Sequence, residues 1–131
     1  MSAGLADTSV IIDWDDPAVV KALPDEVGVS TVTMAELAAG PHLASDSRER
    51  ARRQARLQEA ESLFEPIDFD RDAARSFGVI VAAMAEVGRW HHSRFADAMI
   101  AAVAHASQLD LYTRNPDDFA GLKGLLRVNG V

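Results

Sequence analysis

Short apolar runs alternate along the chain with longer stretches in which apolar residues recur every three or four positions. Gly4-Leu5-Ala6, Val27-Gly28-Val29-Ser30, Pro66-Ile67-Asp68-Phe69 and Leu109 to Thr113 read as strands, and Leu125 to Val128 as a final edge strand. The intervening segments read as helices. Asp7-Thr8-Ser9 is a helix-start cluster before Val10-Ile11-Ile12, and Pro17 to Leu23 is a second short helix. Thr33-Met34-Ala35-Glu36 matches a capping box that opens a short helix over Leu37 to Gly40. Asp46 to Phe64 is a long polar helix, and Asp70 to Gly88 carries Ala73, Phe77, Ile80, Val81 and Met84 at helical spacing. Phe95 to Gln108 is apolar on nearly all sides and should be buried. Arg89 to Arg94 reads as a polar loop and Asn115-Pro116-Asp117-Asp118 as a turn.

Strands alternating with helices predict an α/β fold, with a mostly parallel sheet of four to five strands and helices on both faces. Right-handed crossovers then bring the carboxyl ends of the strands to one edge, where ligands bind. The 131 residues suit one domain over the whole chain, with no repeat or linker.

Composition narrows the chemistry. The chain is 48% hydrophobic but only 6% aromatic, so its core must be aliphatic. It has no cysteine, which excludes disulfides, thiolate zinc sites and Cys nucleophiles. The start, Met1-Ser2-Ala3-Gly4, lacks a signal-like pattern, and apolar stretches such as Ala98 to Ala104 are too short to cross a bilayer. A soluble intracellular protein in the cytoplasm is expected. The net charge of −7 argues against a simple nucleic-acid binder. It is compatible with carboxylates that bind divalent cations, since each cation returns two positive charges locally. It would also suit docking to a basic partner.

Several acids fall near the predicted ligand edge: Asp7 after the first strand, Glu36 after the second, Asp97 at the start of the buried helix, and Asp117 and Asp118 after the fourth. Taken singly, each has a plain reading. Asp7 is an N-cap, Glu36 closes its box with Thr33, Asp97 lies in a helix first turn, and Asp117 and Asp118 are turn residues. Asp97 is the most informative, because its apolar neighbours make an uncompensated carboxylate costly. Together the acids would supply the hard oxygen ligands that Mg²⁺ or Mn²⁺ prefers. A cation held there can activate water and offset charge on a phosphoryl transition state.

Four segments resemble the motifs of PIN-domain ribonucleases, and specifically the VapC toxins of bacterial type II toxin–antitoxin pairs: Asp7-Thr8-Ser9-Val10-Ile11-Ile12, Ser30 to Leu37, Arg94 to Ala102, and Thr113-Arg114-Asn115-Pro116-Asp117-Asp118-Phe119. They occur in the family's order and span nearly the whole chain. The resemblance implies an α/β/α sandwich and Mg²⁺-dependent endonucleolytic RNA cleavage, with Mn²⁺ as an alternative ion. It implies an acidic core of Asp7, Glu36 and Asp97, with Asp118 as the first choice for a fourth acid. Asp117, Asn115 and Thr8 are accessory candidates. It also implies a cognate VapB-type antitoxin, RNA as substrate, and a homodimer, or a heterotetramer or larger assembly with the antitoxin. A non-catalytic PIN-like binding module is the competing function. Receiver or aspartyl-phosphatase readings fit less well, because Ser9 stands where the phosphatase needs its second Asp, and Arg114 stands where a receiver has Lys.

Other features have two readings each. Arg48, Arg52 and Arg56 share one helix face, either as a phosphate strip or as a solvated face paired with Glu49 and Glu59. Arg94 and Arg114 flank the acids and suit either RNA contact or local ion pairs. His91 and His92 read as a solvated loop rather than transition-metal ligands. Trp14 and Trp90 read as packing or partner-interface residues.

Overall fold

A computed structural model describes residues 2–131. Four strands form a wholly parallel sheet: β1 (Ala3–Ala6), β2 (Glu26–Gly28), β3 (Asp110–Thr113) and β4 (Val128–Gly130), in the order β2-β1-β3-β4. Six α-helices connect them: α1 (Thr8–Ile12), α2 (Pro17–Lys21), α3 (Thr31–Ala39), α4 (Ser47–Leu63), α5 (Arg71–Glu86) and α6 (Phe95–Ala106). The chain leaves β1 toward β2 and later returns to β1's other side as β3. The order therefore reverses at β1, and a crevice opens between the carboxyl ends of β1 and β3.

Side chains alternate across the sheet and build two cores. On one face Leu5 and Leu111 pack with Ile80 and Met84 of α5 and with the buried alanines, Ile100 and Val103 of α6. On the other, Ala6 and Val29 pack with Val10, Ile11, Val19, Leu37 and Ala60 from the first four helices. This is the expected three-layer α/β/α sandwich. Small residues let the layers approach. The nearly all-apolar α6 is buried from Ala98 to Ala104 apart from half-buried Met99, as its sequence predicts.

Three local expectations are corrected. The capping box at Thr33 and Glu36 does not form. The Ser30 side chain caps α3 by accepting from the Thr33 N–H at 3.1 Å, so the helix begins earlier and Glu36 lies in its second turn. Pro66 to Phe69 is no strand but a single bridge, Ser30 to Ile67. The Ile67 N–H donates to Val29 O and the Thr31 N–H to Ile67 O, both at 2.9 Å, after which the Phe69 N–H turns to the Thr31 hydroxyl and the ladder ends. Pro66 has no N–H with which to extend it the other way. The final strand starts at Val128, because the N–H groups of Leu125 and Leu126 are both spent on a turn to Leu122 O.

Candidate active site

Asp7 is the first residue beyond β1 and sits at the sheet's crevice, 5% exposed. Its Oδ1 accepts from the Ser9 hydroxyl at 2.5 Å and from the Val10 N–H at 3.3 Å, which caps α1. Its Oδ2 accepts from the Thr113 hydroxyl at 2.6 Å. Cap and site residue are thus one side chain. Burial raises its pKa, and the hydrogen bonds from Ser9, Thr113 and the backbone at Val10 and Ser9 oppose that rise.

Asp97 lies in the first turn of α6, half-buried. Its pKa is pushed up to about 6, first by burial, then by repulsion from Asp118 and, less strongly, from Asp7, against the opposing pull of Arg94. Asp118 stands on a 3-10 turn (Pro116–Phe119) beyond β3, anchored by the buried Phe119. The Arg94 guanidinium bridges the two acids, 2.7 Å from Asp118 Oδ1 and 3.5 Å from Asp97 Oδ2. Three carboxylates from three separate parts of the chain therefore share one electrostatic environment.

Glu36 is exposed on α3 and joins through one contact. The Thr8 hydroxyl donates to its Oε1 at 2.5 Å, with the Thr33 hydroxyl 3.1 Å from that of Thr8. Asp117 is exposed, and Asn115 contributes a backbone N–H to the Thr113 hydroxyl at 3.0 Å. Arg114 pairs with Asp13 at 3.2 Å, so both flanking arginines are engaged in local ion pairs. His91 bonds within its own turn to Ser93, and His92 stacks on Phe95. Trp14 packs edge-on against Phe64, and Trp90 against Phe77 and Phe95.

Two residues not singled out from sequence organise the site. Ser9 donates to Asp7 and accepts the Arg114 N–H at 3.0 Å, tying α1 to the loop after β3. Thr113 closes β3 fully buried and holds Asp7 from the other side. Both stood inside the matched motifs as hydroxyls next to acids, which was the available signal.

The donor set is carboxylate and hydroxyl oxygen, the chemistry that hard divalent cations prefer. Among the described residues no three acidic or histidine side chains close into a ready-made cage. Mg²⁺ binds through one or two carboxylates and keeps its waters, and Asp7 and Asp97 are two such groups. Burial first and then like-charge repulsion raise the pKa of Asp97, and a cation would relieve the repulsion.

The PIN-domain family profile matches residues 5–125. The chain belongs to the PIN-domain family. It is 38% identical to Ribonuclease VapC5 of Mycobacterium tuberculosis, over 97% of this chain and 93% of that protein. A crystal structure of a VapBC-family toxin–antitoxin member from the same organism, VapBC-5, superposes with a TM-score of 0.85 at 38% identity, covering 100% of both chains. A toxin–antitoxin complex from Klebsiella pneumoniae gives a TM-score of 0.65 at 27% identity, covering 95% of this PIN domain and 94% of that chain.

Proposed function

We propose that this PIN domain is the toxin of a type II toxin–antitoxin pair and acts as a metal-dependent endoribonuclease. The observation that carries the reading is the Arg94 guanidinium held between Asp97 and Asp118 beside the crevice at which Asp7 stands, in a chain 38% identical along nearly its whole length to a named ribonuclease. Asp7 and Asp97 would hold Mg²⁺ or Mn²⁺, with Glu36 and Asp118 as outer or additional ligands. When bound, the ion supplies a lowered pKa for a water and charge compensation at the scissile phosphate. The protein's own part is to orient. Ser9 and Thr113 fix the Asp7 carboxylate, Thr8 fixes Glu36, and Arg94 neutralises Asp97 and Asp118 until the ion and RNA phosphate arrive.

The partner is a cognate antitoxin that covers the acidic crevice, a role supported by the toxin–antitoxin assemblies among the structural relatives. The working compartment is the cytoplasm. No described helix is long and apolar enough to cross a membrane. The test is direct. The purified chain should cleave RNA internally with Mg²⁺ or Mn²⁺, stop on chelation, and lose cleavage in Asp97→Asn. A chain that binds its antitoxin yet cuts no RNA with either ion would establish the non-catalytic binding module instead.

A further inference from the structure

Beside Asp7, Asp97 and Asp118 lies a second feature. A cleft of about 330 Å³ opens between α1, α3 and α4. Thr8 and Glu36, which belong to the candidate active site, form one wall, so the cleft is continuous with it. Ile12 and Leu37 give it apolar lining, and Glu49, Arg52, Arg53 and Arg56 of α4 line it as well. Arg52, Arg53 and Arg56 thus gather in one cleft with Glu36 and Glu49, in a chain whose net charge is −7.

The arginines are not equivalent. Arg53 donates to Gly40 O at 2.9 Å and to Glu49 at 3.0 Å, while Arg56 is held by Asp15 at 2.7 Å and by Glu59. Both are committed to joining α4 to its neighbours. Arg52 touches only Glu49, within its own helix, and its side chain is 70% exposed. Ile12, which lines the same cleft, is 57% exposed, an apolar surface left open at the end of α1. An exposed guanidinium, paired only within its own helix, and an open aliphatic side chain lining one cleft of about 330 Å³ suit a nucleotide. Arg52 can meet its phosphate or stack on its base, and Ile12 can cover the base's other edge.

We propose that this cleft is a nucleotide subsite, seating the residue of a single-stranded RNA adjacent to the phosphate at the acids, with Arg52 and Ile12 as binding residues. The inference rests on the ribonuclease reading and extends it to how substrate is gripped. Arg52 makes the electrostatic contact and Ile12 the apolar one, so the two separate by salt dependence.

The experiment uses the full chain with Mg²⁺ and a fluorescein-labelled single-stranded RNA that it cleaves, comparing wild type, Arg52→Ala and Ile12→Ala between 50 and about 200 mM salt, the range over which phosphate contacts are read out. Arg52→Ala should raise KM about 5–10-fold and lower the slope of log KM against log salt by about 0.7, the value for one lost phosphate contact on a single strand. Ile12→Ala should raise KM several-fold with the slope intact. An active wild type with both variants unchanged in KM and slope overturns the subsite alone. A wild type that cleaves no RNA overturns the nuclease reading and the subsite with it. Variants that cleave normally but escape inhibition by the antitoxin would assign the cleft to the protein partner and overturn the proposal.

Discussion

Thr113 donates its hydroxyl hydrogen to Asp7 Oδ2 at 2.6 Å, joining the ends of two adjacent parallel strands that are 106 positions apart in sequence. Neither group has an alternative in water, since Thr113 is fully buried and Asp7 nearly so. Thr113→Val keeps the shape and removes the donor. The buried carboxylate then loses one of the hydrogen bonds that hold its pKa down. Urea denaturation at neutral pH should show a loss of about 1–3 kcal/mol. The acid limb of the pH–rate profile for RNA cleavage should move upward, because Asp7 ionises later. Thr113→Ser should restore both. A Val variant with wild-type stability and an unmoved acid limb would mean that this bond does not set the state of Asp7.

Asp97 ties stability to pH in the sense set by its burial, which outweighs its pairing with Arg94. Its folded-state pKa of about 6 lies above its ordinary value of 3.8, so folding favours the protonated form. The contribution is fully present below about pH 4 and is lost as pH rises to about 6. Asp97→Asn cannot ionise. Without metal it should match wild type near pH 4 and be more stable at pH 7 by up to about 2 kcal/mol, allowing for partial exposure. Cleavage should fall by at least about 100-fold. Thermal melts across that pH range check the sign, and a variant less stable than wild type at pH 7 would refute it.

Much of this was legible from residue pattern, and the exceptions have physical causes. The buried α6 was plain because nearly every one of its positions is apolar, leaving Asp97 conspicuous. The end of the sheet at which the acids gather followed from strand–helix alternation. The α3 cap is ambiguous in sequence because two hydroxyl residues three apart, Ser30 and Thr33, both suit an N-cap. The choice was made by Ser30, which also supplies the bridge to Ile67. The stretch from Pro66 to Phe69 makes no ladder because Ile67 pairs with one neighbour only, through its N–H to Val29 O and its carbonyl to the Thr31 N–H. What no single segment could reveal was pairing: that Arg94 would turn to Asp118, or that Ser9 would span from Asp7 to the Arg114 backbone. Those depend on crossovers that bring distant loops together.

Thr8 and Glu36 separate positioning from ligation. Glu36 is exposed and Thr8 is its one side-chain partner among the described residues. Neither Glu36→Gln nor Thr8→Val should alter stability by more than about 0.5 kcal/mol. Thr8→Val leaves the carboxylate but frees it, so half-maximal cleavage should need about 10-fold more Mg²⁺. Rate at saturating Mg²⁺ should be recovered. Glu36→Gln removes the charge, and added Mg²⁺ should not rescue it. A Mg²⁺ titration of cleavage for both variants distinguishes them, and identical curves would mean that the Thr8 contact has no role in orienting Glu36.

Arg94 occupies the position that a cation would contest. In the metal-free chain its guanidinium is the compensating charge between Asp97 and Asp118. A divalent ion arriving there must either displace it or share the acids with it. Removing it should therefore have opposite effects on the two states. Arg94→Ala should melt at a lower temperature than wild type without metal, because Asp97 and Asp118 then repel unopposed. Adding Mg²⁺ should stabilise the variant more than the wild type, because binding no longer breaks an ion pair and the stabilisation grows with affinity. Paired melts with and without Mg²⁺, and with Asp97→Asn as the control that should gain least, test this. If Mg²⁺ raises the melting temperature of Arg94→Ala no more than that of wild type, ion and guanidinium do not compete for these carboxylates, and Arg94 is free to meet the RNA phosphate with the ion already in place.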